Sequence, residues 1–141
     1  MRRVLIRRPG GHAALELVSE PDPSPGPGQV RVQVKAAGVN YADCIVRMGY
    51  YEAAKGLYPI TPGFEFAGVI SALGEGAAGF TVGQRVLGIS RFGAYASVLC
   101  VSPERLWPCP ESWTFEQAAA FPLVFLTAHH GLFKAAKVEA G

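Results

Sequence analysis

Cysteine is scarce in this sequence, and the three cysteines it has are not arranged for a structural purpose. Cys44, Cys100 and Cys109 are odd in number, form no Cys-x-x-Cys pair and have no histidine at metal-ligand spacing. A disulfide framework and a structural zinc site are therefore disfavoured as the basis of the fold. Unpaired thiols fit a reducing compartment, and we expect a cytoplasmic location.

Long hydrophobic runs are also absent. The longest apolar stretch, residues 118–133, is interrupted by a proline, a threonine and two histidines, and it falls short of the roughly 18 residues that a membrane span needs. Met1 is followed by basic residues rather than by the apolar segment of a signal peptide. We therefore expect no membrane span and no secretion signal.

Charge of one sign is not in excess, since the formal net charge is only +2. The basic residues are scattered apart from a concentration at Arg2, Arg3, Arg7 and Arg8. A solvated first strand explains this concentration better than a phosphate- or nucleic-acid-binding patch does. No nucleic-acid partner is expected.

The glycine-rich fingerprints of nucleotide-binding loops are missing as well. No Gly-x-Gly-x-x-Gly lies between a predicted strand and a helix, and no Gly-x-x-x-x-Gly-Lys-Ser/Thr occurs. The sequence therefore offers no recognisable site for the phosphates of a nucleotide cofactor.

The two adjacent histidines do not predict a metal site either. His129 and His130 would point about 100° apart on a helix, so they cannot form one metal-binding face.

Glycine and proline are abundant instead. The 17 glycines and 11 prolines make up about a fifth of the 141 residues, against roughly 12% in an average protein. This composition favours many turns and short strands over a helical bundle, and we expect a small barrel or a strongly bent sheet. Apolar alternation and flanking turn residues predict strands at 3–7, 14–18, 29–37, 63–73, 84–89, 93–101 and 106–108.

A short helix is predicted directly after the third strand. Asn40 is a suitable N-cap for a helix over Tyr41–Met48. Asp43 lies in the first turn, where a carboxylate suits the free N–H groups and the helix dipole. Gly49 supplies the left-handed residue that ends the helix.

Two further helices are predicted near the C-terminus. The Thr114-x-x-Gln117 pattern is typical of a capping box and opens a short helix through Ala120. Pro122 then fits the first turn of a second helix, which runs to about Ala136. The fold class predicted from the sequence is therefore mainly β with short helices, ending in two consecutive helices.

The chemically most useful side chains cluster around the first helix. Asn40, Tyr41 and Asp43 place an amide, a phenol and a carboxylate at the end of a strand, where proteins often hold ligand groups. From the residues alone, ordinary helix capping is the favoured interpretation. Tyr50 and Tyr51 follow in a loop, where they would either stack on a planar ring or be exposed loop tyrosines.

Glu65 stands between two phenylalanines in a predicted strand. Its side chain would either reach solvent or be buried with a partner. We expect a structural ion pair with Arg47, Arg85 or Arg91.

Several segments form a recognisable pattern when taken together. They are Ala37–Asp43, Arg47–Tyr51, Pro62–Gly68, Val82–Val86 and Phe121–Pro122 leading to Thr127-Ala128. In this order and with compatible spacing, over essentially the whole chain, they resemble the quinone oxidoreductase (ζ-crystallin-like) branch of the medium-chain dehydrogenase/reductases. The segment Ser90–Tyr95 is similar to the vesicle amine transport protein-like subgroup.

The resemblance implies a GroES-like distorted β-barrel as the catalytic or substrate domain over residues 1–121. Residues 122–141 would be a linking helix toward a Rossmann nucleotide-binding domain that this sequence does not contain. The implied reaction is the NADPH-dependent reduction of quinones or α,β-unsaturated carbonyls by hydride transfer. We expect the 141 residues alone to be inactive.

The resemblance also implies roles for individual residues. Asn40 would lie near the nicotinamide and the substrate as a catalytic and cofactor-binding residue. Tyr50 or Tyr51 would border the substrate, and Thr127 would approach the nicotinamide. Asp43 would be a structural support, as would Glu65.

Catalytic zinc is not expected. The zinc-dependent relatives have a cysteine at the position of Asn40 and a histidine at that of Phe64, and they carry a four-cysteine structural loop. Phenylalanine cannot ligate a metal, and this sequence has no such loop. A zinc alcohol dehydrogenase fragment is therefore only a weaker alternative.

A non-enzymatic role is the other alternative. A GroES-like module without its cofactor domain could bind a partner, or self-associate as a homodimer through an exposed strand edge. The absence of a nucleotide-binding domain from this sequence is the observation behind this hypothesis.

Overall fold

Antiparallel β-sheet forms most of the fold in the computed structural model, which describes residues 1–139. Within these residues, β1 (Arg2–Leu5) pairs with β2 (Glu16–Ser19) in a two-stranded sheet. A five-stranded sheet has the order β6-β3-β4-β5-β7. Its strands are β3 (Val30–Ala37), β4 (Glu65–Leu73), β5 (Arg85–Ile89), β6 (Val98–Val101) and β7 (Leu106–Pro108).

The alternation in β3 divides its residues between the core and the surface, as the sequence predicts. Val30 and Val32 are fully buried, whereas Gln33 and Lys35 are exposed. A strand with one apolar and one polar face is expected to lie in this way. The buried valines pack against Phe66 and other apolar side chains of the main core.

The pairing of β3 with β4 positions the functional site. Ala37, the last residue of β3, pairs with Phe66, and the N–H of Gly38 donates to the carbonyl of Glu65 at 3.2 Å. The chain that leaves β3 therefore passes directly beside the start of β4. As a result, Asn40 lies next to Glu65.

The first helix has the bounds predicted from its caps. Helix α1 (Tyr41–Met48) begins after Asn40, which has extended dihedral angles (φ −121°, ψ 154°). It ends at Gly49, whose φ of 84° is left-handed. The residues at the two helix ends predict these bounds correctly because they interact with the first and last turns of the helix itself.

The C-terminal helices differ in part from the prediction. Helix α2 (Phe115–Ala119) has the predicted capping box between Thr114 and Gln117. Helix α3 (Pro122–His129) ends earlier than predicted and continues as a π-helix over His130–Ala135. The apolar side chains of that π-helix are about half exposed, so packing does not hold an α-helical register there. Residues 140–141, the end of the predicted linking segment, lie outside the described residues.

Several predicted strands are shorter in the structure. The strand predicted from Gly63 begins at Glu65, because Gly63 is left-handed with a φ of 98°. The strand predicted from Gly93 begins at Val98, and Gly93 is left-handed in the same way. The first two predicted strands are shifted by one to two residues, and a short 3-10 helix precedes β2.

Two smaller cores attach the helices to the sheets. Val46 of α1 packs with Ile6, Ala54, Ile60 and Phe64. Ala118 and Ala119 of α2 pack against buried side chains of β4 and β5. Among the described residues, no helix is long and apolar enough to cross a membrane.

Candidate functional site

The Asn40 side chain is held by a buried carboxylate. Its Nδ2 donates a hydrogen bond of 2.8 Å to Oε1 of Glu65, and only 2% of Glu65 is exposed. The second carboxylate oxygen, Oε2, accepts from the backbone N–H of Leu123 at 2.8 Å. Glu65 thus connects the N-cap of α1 to the first turn of α3.

The predicted ion pair of Glu65 is wrong. Arg47 donates to the carbonyl of Gly10 and Arg91 to that of Ala53. Arg85 donates to backbone carbonyls and lies over the ring of Phe115. Glu65 is instead satisfied by two neutral N–H donors, an arrangement that stabilises a buried carboxylate without a cationic partner.

Gly38 makes room for this carboxylate. A Cβ atom at position 38 would lie 2.3 Å from Oε1 of Glu65, far inside the contact distance. Glycine at the end of β3 therefore allows Glu65 to lie against the backbone that leads to Asn40.

A second buried carboxylate, Asp43, fixes the backbone on the other side of Asn40. Its Oδ2 accepts from the backbone N–H of Asn40 and from the hydroxyl of Tyr95, both at 2.9 Å. Its Oδ1 accepts from the N–H of Gly63 at 2.9 Å. Burial, together with the hydrogen bond to the charged Asp43, raises the pKa of Tyr95 well above its ordinary value, so this phenol remains a donor.

The two loop tyrosines occupy different environments. Tyr51 packs against Phe64 and Phe92, with ring centroids 5.5 Å and 6.2 Å away. Phe64 and Phe92 are themselves 5.5 Å apart, so the three rings form one cluster. Tyr50 lies outside this cluster and is 77% exposed.

Thr127 is exposed on α3, one helical turn after Leu123. Residues four apart lie on the same face of a helix. Leu123 packs against the apolar core that includes Phe64, which orients this face toward the α1 side of the molecule. The structure therefore links Leu123 to the region of Asn40 and Tyr51, and Thr127 follows one turn later as an exposed residue of α3.

Sequence reasoning missed three residues of this region: Phe92, Tyr95 and Leu123. Each meets its partner across at least 28 residues of chain, and no local pattern indicates such a pairing. Phe92 and Tyr95 do fall in the segment that carries the subgroup resemblance. The resemblance of this segment was therefore the sequence signal that could have indicated Phe92 and Tyr95.

The donor set of this region does not suit a metal ion. Phe64, the residue before Glu65 in the chain, packs in the aromatic cluster and offers no ligand atom. Across residues 1–139, no group of three or more His, Cys, Asp or Glu side chains is placed to hold a metal.

Outside this region, an apolar groove runs along α3 and the π-helix. The Phe121 ring stacks on Phe125 at 4.1 Å, and Trp113 meets Phe121 edge-on at 5.0 Å. Phe125 and Phe133 are more than half exposed. Such a contiguous apolar surface is typical of an interaction face.

Comparison with known proteins identifies the class of the chain. Residues 26–111 match the family described as "Alcohol dehydrogenase GroES-like domain". The chain belongs to this family, which is the N-terminal domain of medium-chain dehydrogenase/reductases. The predicted family and the predicted mainly-β, GroES-like fold class are confirmed.

Particular relatives define the branch more closely. The human synaptic vesicle membrane protein VAT-1 homolog-like is 36% identical over 141 residues, which is 100% of this chain and 33% of that protein. A crystal structure of the human VAT-1 homolog-like protein superposes with a TM-score of 0.94, at 36% identity, over 100% of this chain and 45% of that one. The chain spans about a third of the length of the curated relatives it matches.

Two reductases of known structure are also similar. Escherichia coli quinone oxidoreductase complexed with NADPH has a TM-score of 0.88 at 32% identity, covering 96% of this chain and 41% of that one. The CurK enoyl reductase has a TM-score of 0.91 at 31% identity, covering 99% and 44%. These two relatives are a quinone oxidoreductase and an enoyl reductase, and the chain is part of an oxidoreductase family.

Proposed function

We propose that this chain forms the substrate-side wall of a zinc-independent, NADPH-dependent reductase of quinones or α,β-unsaturated carbonyls. The observation that supports this proposal is the pair of hydrogen bonds by which buried Glu65 links the Asn40 side chain to the backbone N–H of Leu123. This link holds a polar amide at the strand end, close to the aromatic cluster around Tyr51. A pre-oriented polar group beside an apolar wall suits a planar carbonyl substrate.

In this proposal Asn40 lies between the nicotinamide and the substrate as a hydrogen-bonding group. Tyr50 or Tyr51 borders the substrate, and Thr127 reaches the nicotinamide from α3. NADPH, when bound, would supply the hydride for the electrophilic carbon of the substrate, and the accompanying proton would come from solvent. The protein contributes binding, orientation and hydrogen bonds to the developing charge.

Only the nicotinamide end of NADPH fits the residues of this chain. An amide and a hydroxyl are suitable partners for a carboxamide and a ribose, but the sequence has no glycine-rich phosphate loop. Because the relatives are about three times longer, we propose that the phosphates bind to residues outside this chain. The 141 residues alone would then be inactive, and the whole protein would act in the cytoplasm on small molecules.

The proposal assigns no catalytic role to zinc. Carbonyl polarisation would come from hydrogen bonds, since Asn40 and Phe64 stand where a ligand pair would be needed. Stoichiometric zinc in the purified protein, measured by metal analysis, would favour an alcohol dehydrogenase chemistry instead.

The test is NADPH oxidation by the full-length gene product that contains this chain, with a panel of quinones and enones. We expect turnover with at least one acceptor, and Asn40→Ala should lower kcat by about 10-fold or more if the amide contacts the reacting groups. Glu75→Ala, in the exposed turn after β4, is the matched control and should change nothing. An absence of NADPH oxidation across the panel would refute the proposed function.

A self-association module is the second candidate, and the exposed apolar groove along α3 is the observation that favours it. Sedimentation of the 141-residue chain with and without NADPH tests this second candidate, whereas NADPH oxidation by the full-length gene product tests the first. A folded homodimer with no cofactor affinity would support self-association as a property of this chain.

A further inference from the structure

We propose that Glu65 is a positioning residue, which sets the orientation of the Asn40 amide and its register with the Thr127 face of α3. The inference rests on the proposed function, in which Asn40 and Thr127 contact the nicotinamide. It adds a residue that touches neither cofactor nor substrate and acts through the two that do.

The first argument is the use of both carboxylate oxygens. Oε1 accepts from the Asn40 side chain and Oε2 from the Leu123 N–H, each at 2.8 Å. The carboxylate comes from β4, so a strand of the central sheet connects two separate elements at their first turns. A group fixed at both oxygens and 2% exposed has little freedom to move.

The second argument is the choice of amide orientation. An asparagine amide can present either its oxygen or its NH₂ group to a given neighbour. Because Glu65 accepts at Oε1, it selects the NH₂ group of Asn40. The amide oxygen of Asn40 therefore faces away from Glu65 and remains on the side of α1, where the Asn40 side chain faces the backbone N–H of Asp43 in a capping box.

The third argument concerns α3. Pro122 occupies its first position and has no N–H, so Leu123 carries the first free N–H of the helix. The Glu65 carboxylate accepts a hydrogen bond from this N–H. A carboxylate is also electrostatically favourable at the N-terminus of a helix, which is the positive end of the helix dipole. Thr127 lies one turn further on the same face, so its placement relative to Asn40 depends on this contact.

The fourth argument is the accommodation of the carboxylate by Gly38. Any side chain at position 38 would collide with Oε1 of Glu65, since an added Cβ would lie 2.3 Å away. The end of β3 is therefore shaped for Glu65 in this position. A residue with only a packing role does not need such a close approach of its charged atoms to the backbone.

The kinetic test compares wild type, Asn40→Ala, Glu65→Gln and the double variant in the full-length protein, under saturating NADPH and acceptor. Glutamine keeps the size of the side chain but replaces one acceptor oxygen by an NH₂ donor, so the Asn40 amide must turn over to accept from it, or a donor on Asn40 or Leu123 is left opposed. We expect E65Q to lower kcat by about 10-fold through misplacement of Asn40. The double variant should be no slower than N40A, because coupled residues give non-additive losses.

A stability measurement keeps the test decisive if E65Q folds poorly. In the variant N40D/E65Q, the glutamine NH₂ can donate to the new aspartate while its oxygen still accepts from Leu123. We expect this exchange to recover most of the Tm that E65Q loses. Glu65→Asp, which keeps the charge but shortens the reach, replaces E65Q in the kinetic comparison and should also lower kcat.

The outcomes separate the two proposals. A wild-type protein that oxidises no NADPH overturns the proposed function and this inference with it. An active wild type whose N40A and Glu65 losses multiply, or a Glu65 variant with unchanged kcat, overturns the positioning role alone. Failure of N40D/E65Q to recover Tm overturns the assigned amide orientation.

Discussion

The hydroxyl of Tyr95 donates a hydrogen bond of 2.9 Å to Oδ2 of Asp43, across 52 residues of chain. Asp43 is buried and also accepts from two backbone N–H groups, one on each of the segments that flank the candidate site. Tyr95 therefore joins the segment before β6 to the first turn of α1. This hydrogen bond requires the Tyr95 hydroxyl to be protonated, because Asp43 can only accept.

The first prediction concerns stability at alkaline pH. The folded state raises the pKa of Tyr95, mainly through burial and then through Asp43, above the ordinary value of about 10. The protonated phenol is thus favoured in the folded state, and its stabilising contribution is complete below pH 10. That contribution is lost as the pH rises through the folded pKa, because the unfolded state then binds fewer protons.

Tyr95→Phe is the comparison that isolates this effect. We expect the variant to be about 1.5 kcal/mol less stable near neutral pH, since it lacks a hydrogen bond to a charged group. The difference from wild type should shrink above pH 10. Urea unfolding at a series of pH values measures both, and the raised pKa of Tyr58 cancels because it is present in both proteins. A difference that stays constant above pH 10 would contradict the prediction.

The second prediction tests the close approach of β3 and β4. A Cβ at Gly68 would lie 2.2 Å from the carbonyl oxygen of Gln33, which is backbone and cannot move aside. We expect Gly68→Ala to destabilise the protein by about 1–3 kcal/mol, as other overpacking changes do. Gly11→Ala, where an added Cβ meets nothing within 4 Å, is the control. Equal midpoints of denaturation for the two variants would show that the strands are further apart than described.

The first helix shows how far local sequence signals reach. Asn40, Asp43 and Gly49 predicted both ends of α1 correctly, because capping involves residues within one turn of each other. The same signals ranked helix capping above a site role for Asn40. Its side chain lies in a capping box and also donates to Glu65, 25 residues later, a contact that these local signals do not indicate.

The partners of Glu65 show where such signals fail. A glutamate between phenylalanines in a strand predicted an arginine partner, whereas the structure supplies an amide and a helix N–H. Both donors arrive through strand pairing and helix docking, which depend on the whole fold. The family resemblance indicated Asn40 as a candidate, but its connection to Leu123 through Glu65 is visible only in the folded structure.

The third prediction separates the two loop tyrosines. Tyr51 packs in the aromatic cluster with Phe64 and Phe92, so Tyr51→Ala should cost about 1–3 kcal/mol of unfolding free energy. Tyr50→Ala should change stability by less than about 0.5 kcal/mol, because the side chain is exposed. If both border the substrate, both changes should raise the KM for a quinone. An unchanged KM in Tyr50→Ala would leave Tyr51 as the substrate-side tyrosine.

The last prediction concerns Thr127. Its exposed hydroxyl, one turn beyond Leu123, would hydrogen-bond the nicotinamide end of NADPH, and Thr127→Val removes that group while keeping the shape of the side chain. A lost hydrogen bond of about 0.5–1.5 kcal/mol corresponds to a roughly 2- to 12-fold weaker Kd for NADPH. Fluorescence titration of the full-length protein measures the Kd, and thermal melting should show an unchanged Tm. Thr81→Val, in the exposed turn before β5, is the matched control and should bind NADPH as wild type does. Equal NADPH affinity in wild type and Thr127→Val would remove Thr127 from the cofactor site and leave Asn40 as the only cofactor contact assigned to this chain.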